Sequence, residues 1–298
     1  MKVIGNIQVP RMENMIASGA ISKGVSVVVS SSGTVSAVTT ASANAKGTPV
    51  EFENATINIG VSSTAYDPVN EKIAILYVDN DNNEYATMIA GSISGTTITF
   101  GSPVILSSGG SAYWKQGLAF NSYSKKFVAV FDDQGSSGYG RYALVSANST
   151  NNNLSIDVAS QAFVDDNNAA HYNVHYDPTT YNTLVFYGTT SSYILASKSI
   201  QADGSSISSE LQCGSEDVKY GAHAISATYD TNLEKWIVFY ISNGAGSSSV
   251  GDGKVVVYKP TGTWYTPSSF WTSSRVNGCV SAAFNTRETT SGNGADCV

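Results

Sequence analysis

The chain has 298 residues, 42% of them hydrophobic and 13% charged, with a formal net charge of −7. The negative charge and the lack of a Lys/Arg cluster exclude a protein that binds nucleic acid through its phosphates. No apolar run reaches the roughly 18 residues of a membrane-spanning helix, and the starting segment "MKVIGNIQVPRMENMIASGA" lacks the apolar stretch of a secretory signal.

Residues 1–46 carry the pattern of a β-hairpin. "GVSVVVS" and "GTVSAVTTA" lie on either side of "SSSG", and short Val/Ser/Thr runs bounded by turn residues predict strands. The next segment, "GTPVEFENA", resembles "GSPVILSSG", which begins 54 residues later. Residues 1–46 are therefore expected either to form an anchoring segment or to lend strands to the repeats in 47–298.

The rest of the chain repeats one short motif, an aromatic residue followed by Asp or Asn. The five aromatic residues are Tyr66, Phe120, Tyr176, Tyr229 and Phe284, separated by 54, 56, 53 and 55 residues. A second aromatic follows the first four after eleven residues, at Tyr77, Phe131, Tyr187 and Tyr240. A fixed period near 55 indicates one supersecondary unit that has been copied along the chain.

Each copy contains the pattern of four strands, A to D. In the first copy they are "GVSSTAYD", "KIAILYVD", "EYATMIAGSI" and "TTITFGSPVIL", separated by the turn sequences "DPVNE", "NDNN" and "SGT". Four antiparallel strands per repeat are typical of a β-propeller blade. The sequence predicts an all-β protein, a β-propeller of four to five four-stranded blades.

The fifth copy is incomplete, because the chain has no B-strand pattern after Phe284. Residues 24–52 are expected to supply the missing strands and close a five-bladed ring. The rival interpretation is a separate N-terminal β-domain followed by a four-bladed or open array.

The recurring residues have predicted structural roles. The aromatic at the end of strand A and the aromatic on strand B are expected to fill the same space between blades. The Asp or Asn after the first aromatic is expected to bond its own backbone and start the A–B turn.

Strand A carries no acidic residue apart from the recurring Asp67, Asp177 and Asp230. Glycoside cleavage needs two carboxyl groups at roughly 5–10 Å. Since a residue that recurs from blade to blade serves structure rather than chemistry, we predict no catalytic residue and no enzyme.

Three histidines, His171, His175 and His223, lie on strand A or just before it. Residues 171 and 175 would share one face of a strand. They are expected to line the axial channel, either as ligands of a metal or small molecule or as polar residues without a partner.

Asp79, Asp81 and Asn83 alternate in "VDNDNNEY" as the first half of a calcium loop does, although the Gly and closing Glu of that loop are missing. The segment is either a calcium site or an ordinary Asn/Asp-rich turn. No other cofactor is expected.

Tyr113, Trp114 and Trp264 lie near predicted blade edges. They are candidates either for stacking on a sugar or for packing between blades. Cys279 and Cys297 either form a disulfide or remain free thiols beside Cys213.

The segment "AYDPVNEKIAILYVDNDNNEYATMIAGSISGTTITFGSPVIL" resembles the repeat found in tandem in virion and tail-fibre-like proteins of marine bacteriophages and aquatic viruses. "GAISKGVSVVVSSSGTVSAV" is similar to short β-modules of phage structural proteins. The resemblance implies a fold unit and a virion setting, and it assigns no functional residue.

The resulting hypothesis is a non-enzymatic virion structural protein on a phage tail, fibre or capsid surface. It would act in attachment, decoration or host-glycan recognition, in many copies per particle. Its partners would be other virion proteins and a host surface glycan, and it would assemble in the host cytoplasm. The alternatives are a propeller-fold polysaccharide hydrolase or lyase and a free lectin.

Overall fold

The computed structural model divides the chain into two compact units, Met1–Thr48 and Pro49–Val298. It describes residues 16–21, 27–29, 33–37, 47–54, 56–108, 115–133, 135, 139–164, 170–189, 194–218, 225–242 and 251–276. Within these ranges the only helical segment with assigned bounds is the 3-10 turn Asn80–Asn82, and the other elements are strands. The predicted all-β class is confirmed. No helix in the described residues is long and apolar enough to cross a membrane.

The N-terminal unit contains one small sheet, in the order β1-β3-β2. Strands β2 (Val27–Val29) and β3 (Thr34–Ala37) pair in antiparallel fashion, with Val28 opposite Ser36, and β1 (Ile16–Ala17) pairs with β3 in parallel. The hairpin predicted on either side of "SSSG" is therefore confirmed.

The described residues of the second unit form four antiparallel sheets that follow one another along the chain. The first blade comprises β4 (Ile57–Asp67), β5 (Lys72–Asp79), β6 (Tyr85–Ser94), β7 (Thr97–Phe100) and β8 (Val104–Ser107). The second comprises β9 (Gln116–Asn121), β10 (Lys126–Asp133), β11 (Tyr139–Ala147) and β12 (Leu154–Val164). The third comprises β13 (Ala170–Tyr176), β14 (Thr183–Gly188), β15 (Ile194–Ile200) and β16 (Leu211–Asp217). The fourth comprises β17 (Ile225–Asp230), β18 (Lys235–Ile241), β19 (Gly251–Lys259), β20 (Thr263–Trp264) and β21 (Ser268–Val276).

These sheets have the predicted strand order A-B-C-D, and the outer D strand is split in two in the first and fourth blades, where both pieces pair with strand C. Strand A of each blade, namely β4, β9, β13 and β17, contacts strand A of the next blade. A side chain added at Gly117 on β9 would lie 2.3 Å from the carbonyl oxygen of Tyr172 on β13. The small residues of strand A therefore permit the close approach that neighbouring propeller blades require.

The hydrophobic core is divided into three clusters, one at each junction between consecutive blades. Ala74, Leu76 and Met88 of the first blade pack with Leu118 and Phe131 of the second. Equivalent clusters join the second blade to the third and the third to the fourth. Each internal blade thus buries both faces, which explains why its B strand is apolar at nearly every position.

The A–B turns are built identically in all four blades. The side chain that ends strand A is buried, and its oxygen atoms accept hydrogen bonds from the backbone N–H groups two and three residues further on. The donors are Val69 and Asn70 for Asp67, Tyr123 and Ser124 for Asn121, Thr179 and Thr180 for Asp177, and Asn232 and Leu233 for Asp230. The predicted turn-starting role is confirmed, and the recurring acids are structural.

The last residue of each A–B turn has a left-handed backbone although it is not glycine. The φ angles are 54° at Glu71, 59° at Lys125, 63° at Tyr181 and 51° at Glu234. An L-residue pays about 1–2 kcal/mol for this conformation, whereas glycine adopts it freely. The same strain therefore recurs at the same place in every described blade.

Lys125→Gly is expected to raise the free energy of unfolding by about 0.5–1 kcal/mol, because relief of strain exceeds the extra chain entropy that glycine loses on folding. Chemical denaturation measures the change. Lys125→Ala is the matched control and should leave stability nearly unchanged, since alanine keeps the strain. A glycine variant less stable than the alanine variant would contradict the turn geometry.

The two aromatic series share one space in two blades, because Phe120 lies in the same core cluster as Phe131 and Tyr229 packs against the cluster that contains Tyr240, but they do not share it in the first blade. The register places Tyr66 opposite Ile73 on β5, four residues before Tyr77. The two rings are on the same face of the blade but about 13 Å apart along it. Tyr66 is 53% exposed, whereas Tyr77 is fully buried. The strand-B aromatics fill the core because they lie at the well-covered end of the strand.

Each described strand-B aromatic of the first three blades packs against an apolar residue that precedes its blade. Phe163, near the end of β12, meets Tyr187 of the next blade edge to face at 5.5 Å. Leu106, near the end of β8, shares a core cluster with Phe131. Phe52 meets Tyr77 in the same way at 5.3 Å. The segment around Phe52 thus covers the first blade as a D strand covers the others.

Candidate functional site

One end of each blade holds the start of strand A and the end of strand B, and it is here called the D–A face. The pairing of Gln116 with Phe131, and of Asp132 with Gly140, places these residues of the second blade at that end. The opposite end, where the turn joins strands A and B, is the A–B face. Loops at either face lie outside the sheets, so functional side chains are sought at these two ends.

Asp132 is the carboxyl group that breaks the equivalence of the blades. It follows the strand-B aromatic directly, where the other three blades carry Val78, Gly188 and Ile241. Only 1% of its surface is exposed. An acid at a position that is otherwise apolar or small is not needed for the blade itself, and so it is the candidate for chemistry.

Two side chains hold Asp132. The Tyr172 hydroxyl of the third blade donates to Oδ1 at 2.7 Å, and Lys115 Nζ lies 3.4 Å from Oδ2. Burial raises the pKa of Asp132 from its ordinary 3.8 to about 6, against the opposing effects of Lys115 and Tyr172. A carboxyl group in this range exchanges its proton near neutral pH, as a general acid must.

Gln116, on the neighbouring strand at the same face, is a buried amide without satisfied hydrogen bonds. It is 4% exposed, and neither Oε1 nor Nε2 has a hydrogen-bond partner within the described part of the chain. The other blades carry Ser62, Tyr172 and Ile225 at this position, four residues before the aromatic of strand A. Buried polar atoms of this kind call for an explanation such as ligand binding or strain.

The acids at the very end of strand B have a turn-closing role. Asp79 and Asp133 accept the backbone N–H groups of Asn82 and Gly135, as the hydroxyls of Thr189 and Ser242 accept those of Ile194 and Asp252. Asp133 also accepts a hydrogen bond from Ser107. Since all four described blades close the B–C turn in this way, the side chains at these positions have a structural role.

Glu53 and Asp79 form a second group of carboxylates at the D–A face, in the first blade. Tyr77 Oη donates to Glu53 Oε2 at 2.7 Å. Burial and the negative charge of Glu53 raise the pKa of Asp79. Burial and the same carboxylate also raise the pKa of Tyr77. The face that carries Asp132 therefore also holds two neighbouring carboxylates, Asp79 at the end of β5 and Glu53 in the segment that precedes the first blade.

The predicted calcium residues lie in and around the 3-10 turn. Asp79 caps this turn, Asp81 is exposed within it, and Asn83 ends it with φ 54°. No group of three or more His, Cys, Asp or Glu side chains in the described ranges is arranged to hold a metal ion. Calcium at this hairpin stays a prediction, and the turn itself needs no ion to explain its geometry.

The predicted shared face of His171 and His175 is not formed. The β13 register is irregular between Ala170 and Asn173, and His171 has φ 51°, so the alternation of side chains is interrupted. His175 lies between the third and fourth blades, 4.9 Å from the Trp236 ring and 2.6 Å from Asn173 Oδ1. Burial lowers the pKa of His175 to about 4. His223 lies outside the described residues.

Trp264 packs between the third and fourth blades. Its ring centroid is 4.7 Å from that of Tyr258 and 5.7 Å from that of Phe186, and Nε1 donates to the carbonyl of Leu211. The packing alternative therefore accounts for Trp264. Tyr113, Trp114, Cys279 and Cys297 lie outside the described residues, and Cys213 is buried.

No protein-family model matches the sequence, and no curated protein matches it. Solved structures similar in shape include an exo-β-1,3-galactanase from Phanerochaete chrysosporium, with 9% identity and a TM-score of 0.44 over 69% of this chain and 49% of that one. A Fusarium graminearum α-L-arabinofuranosidase has 11% identity and a TM-score of 0.48 over 70% and 64%. An endo-arabinase from Bacteroides thetaiotaomicron has 11% identity and a TM-score of 0.47 over 74% and 85%. The chain thus spans about half the length of the galactanase.

These comparisons contradict the expectation of a non-enzymatic virion protein. The structures named are glycoside hydrolases, the class named above as an alternative. Identities of 9 to 11% and TM-scores below 0.5 carry no activity from those proteins to this one. Any function therefore has to be argued from the side chains of the chain itself.

Proposed function

We propose that this protein is a β-propeller glycoside hydrolase in which Asp132 donates the proton to the departing sugar. The observation that carries the proposal is the state of Asp132, a buried carboxyl group with a pKa of about 6 at the D–A face of one blade only. Cleavage of a glycosidic bond needs an acid that remains protonated near neutral pH. A group with a pKa of about 6 is half protonated at about pH 6 and still roughly one-tenth protonated at pH 7.

The surrounding residues suit this role. The Tyr172 hydroxyl orients Oδ1, and Lys115 keeps the pKa of Asp132 from rising further. Glu53 and Asp79, at the same face, are the candidates for the second carboxylate that such a reaction needs to stabilise the positive charge on the sugar or to activate water. Gln116 offers a donor and an acceptor to sugar hydroxyls from the same face.

The proposal includes a five-bladed ring. Phe52 packs on Tyr77 as Phe163 packs on Tyr187, so residues 49–54 take the place of the D strand of a preceding blade. The sequence motif at Phe284 and Asn285 would begin that blade. Closure by both ends of the chain leaves no blade with an uncovered face.

Phe52→Ala is expected to lower the free energy of unfolding by about 2 kcal/mol, because it uncovers the Tyr77 ring and part of the first blade. Phe270→Ala is the control, since Phe270 is 53% exposed and should cost less than about 1 kcal/mol. Thermal or chemical unfolding measures both. Equal losses for the two variants would contradict the proposed D-strand role of residues 49–54.

The function is tested by incubating the purified protein with arabinan and with β-1,3-galactan, the first substrates to try, and measuring new reducing ends. Wild type is expected to release reducing ends from at least one polysaccharide, and Asp132→Asn to release almost none. Asp157→Asn is the matched control, because Asp157 is a surface carboxylate 3.6 Å from Lys126. Equal release by wild type and Asp132→Asn would refute the assignment.

A further inference from the structure

The A–B face carries a pair of stacked and exposed tyrosines at the junction of the second and third blades. The ring centroids of Tyr123 and Tyr181 are 5.0 Å apart, with an angle of 27° between the planes. Their surfaces are 64% and 51% exposed, respectively. Large apolar rings that stack on each other and remain open to solvent form a platform rather than part of the core.

The platform occurs at one junction only among the described blades. In the other blades, the turn position of Tyr123 holds Val69, Thr179 and Asn232. The turn position of Tyr181 holds Glu71, Lys125 and Glu234. Two different turn positions from adjacent blades therefore contribute the two rings. The repeat does not require either aromatic.

The turn holds Tyr181 firmly despite its strained backbone. Its φ is 63°, its N–H donates to the carbonyl of Asp177 at 2.9 Å, and its carbonyl accepts from Asn121 Nδ2 at 3.0 Å. A bulky aromatic in the left-handed region is unfavourable by itself. The ring is thus presented to solvent in a fixed position, which lowers the entropy that a ligand would lose on binding.

A cleft of about 420 Å³ lies beside the platform, lined by Tyr123, Ser124, Lys126, Asn182, Gln201 and Asp203. Hydrogen bonds from Ser205 lower the pKa of Asp203, so its carboxylate is charged at neutral pH. Lys126 and Asp203 carry opposite charges in this lining, and Asp157, 3.6 Å from Lys126, adds a second carboxylate beside it. Two amides and a hydroxyl add both donors and acceptors.

We infer that this cleft and the stacked tyrosines form a binding site for a neutral sugar unit. The apolar face of a sugar ring suits an exposed aromatic platform, and its hydroxyls suit the mixed amide and carboxylate lining. The carboxylates of Asp157 and Asp203 around the single lysine, and the net charge of −7, disfavour a polyanionic ligand. Strand β10 spans from Lys126 at this site to Asp132, about 20 Å away, so the site is separate from the proposed catalytic face.

Saturation-transfer NMR with arabinose, galactose, glucose and N-acetylgalactosamine as probes tests the site. Wild type is expected to show transfer to at least one of these sugars, and Tyr123→Ala/Tyr181→Ala to weaken binding about tenfold. Tyr66→Ala is the matched control, an equally exposed tyrosine on the same face of the first blade. It should bind as wild type does, and an amide NMR spectrum checks that each variant is folded.

The result is separable from the proposed hydrolysis. Asp132→Asn should bind the same sugar as wild type, and the double tyrosine variant should hydrolyse a small soluble glycoside at an unchanged rate. The inference is overturned if wild type shows no transfer to any of the four sugars, or if the double variant binds as tightly as wild type. If the protein binds the sugar but hydrolyses no glycoside, the catalytic proposal is refuted and the inferred sugar-binding site is supported.

Discussion

Asp132→Asn is expected to lower kcat/KM about 10²–10⁴-fold for a glycoside whose departing group needs a proton. Asparagine has nearly the same shape, and its Oδ1 accepts the hydrogen bond from Tyr172 as the carboxyl oxygen does. The variant therefore removes the acid and preserves the contact between the second and third blades. Steady-state kinetics on an alkyl or oligosaccharide substrate measure the loss.

The loss should depend on the departing group. A dinitrophenyl glycoside leaves as a stable anion and needs little protonation, so Asp132→Asn should retain most of the wild-type rate on it. A purely structural residue would lower both rates equally. Equal losses on both substrates would therefore contradict the role of Asp132 as proton donor.

The same role sets the pH dependence of wild type. Asp132 must be protonated to act, and its pKa of about 6 means that the protonated fraction falls as pH rises through 6. Wild-type activity on the alkyl glycoside should decline above that pH with an apparent pKa near 6. This decline should be absent from the residual activity of Asp132→Asn.

The second large effect is a gain in stability by the same variant at high pH. The folded-state pKa of Asp132 is about 6 against an ordinary 3.8, so the folded protein resists ionisation of this group. Wild type therefore loses about 3 kcal/mol of stability, through Asp132 alone, as pH rises from below 3.8 to above 6. Asparagine never ionises, so the variant escapes this loss.

Denaturant unfolding of both proteins at about pH 4 and about pH 8 measures this difference. Relative to wild type, Asp132→Asn should be about 2.4 kcal/mol more stable at the higher pH than at the lower, since part of the full effect already lies below pH 4. His175, with its lowered pKa of about 4, destabilises the fold in the opposite direction as pH falls, but it is present in both proteins and cancels. A stability difference independent of pH would show that Asp132 has an ordinary pKa.

If Asp132→Asn is more stable than wild type at high pH and less active, Asp132 serves catalysis rather than the stability of the fold. Buried acids held at an unfavourable pKa are costly to the fold, and such costs concentrate at functional sites. The Asp residues of the A–B turns should behave differently. Asp67 accepts two backbone N–H groups, and losing such a cap destabilises a fold.

The blade pattern was predictable from the sequence because it depends on local physics. A turn that starts at Asp67 or Asn121 needs only the backbone groups two and three residues on, and strand alternation needs only near neighbours. The repeat multiplies each weak local signal several times. The strand order and the role of the strand-A Asp and Asn side chains in starting the A–B turn followed directly from it.

The candidate site was not predictable in the same way, because its contacts are long-range. Tyr172 reaches Asp132 across 40 residues, and neither residue stands out locally. The search for acids on strand A missed Asp132, which lies on strand B. The available signal was the comparison of blades, since Val78, Gly188 and Ile241 replace Asp132 at equivalent positions.

The histidine prediction failed for a related reason. Strict alternation placed His171 and His175 on one face, but the register shift in β13 is a property of how this strand meets β14. Sequence periodicity carries no information about a local irregularity of this kind. The environment of His175 is set instead by Trp236, which lies in a different blade.

The protonation of Asp132 in the intact protein tests the account most directly. Its side-chain carboxyl carbon can be followed by ¹³C NMR as a function of pH, with Asp132→Asn providing the assignment. A titration midpoint of about 6 is the result expected for a proton donor in this environment. A midpoint at or below the ordinary 3.8 would mean that the group is a permanently charged partner of Lys115, and the proposed catalytic role would fall.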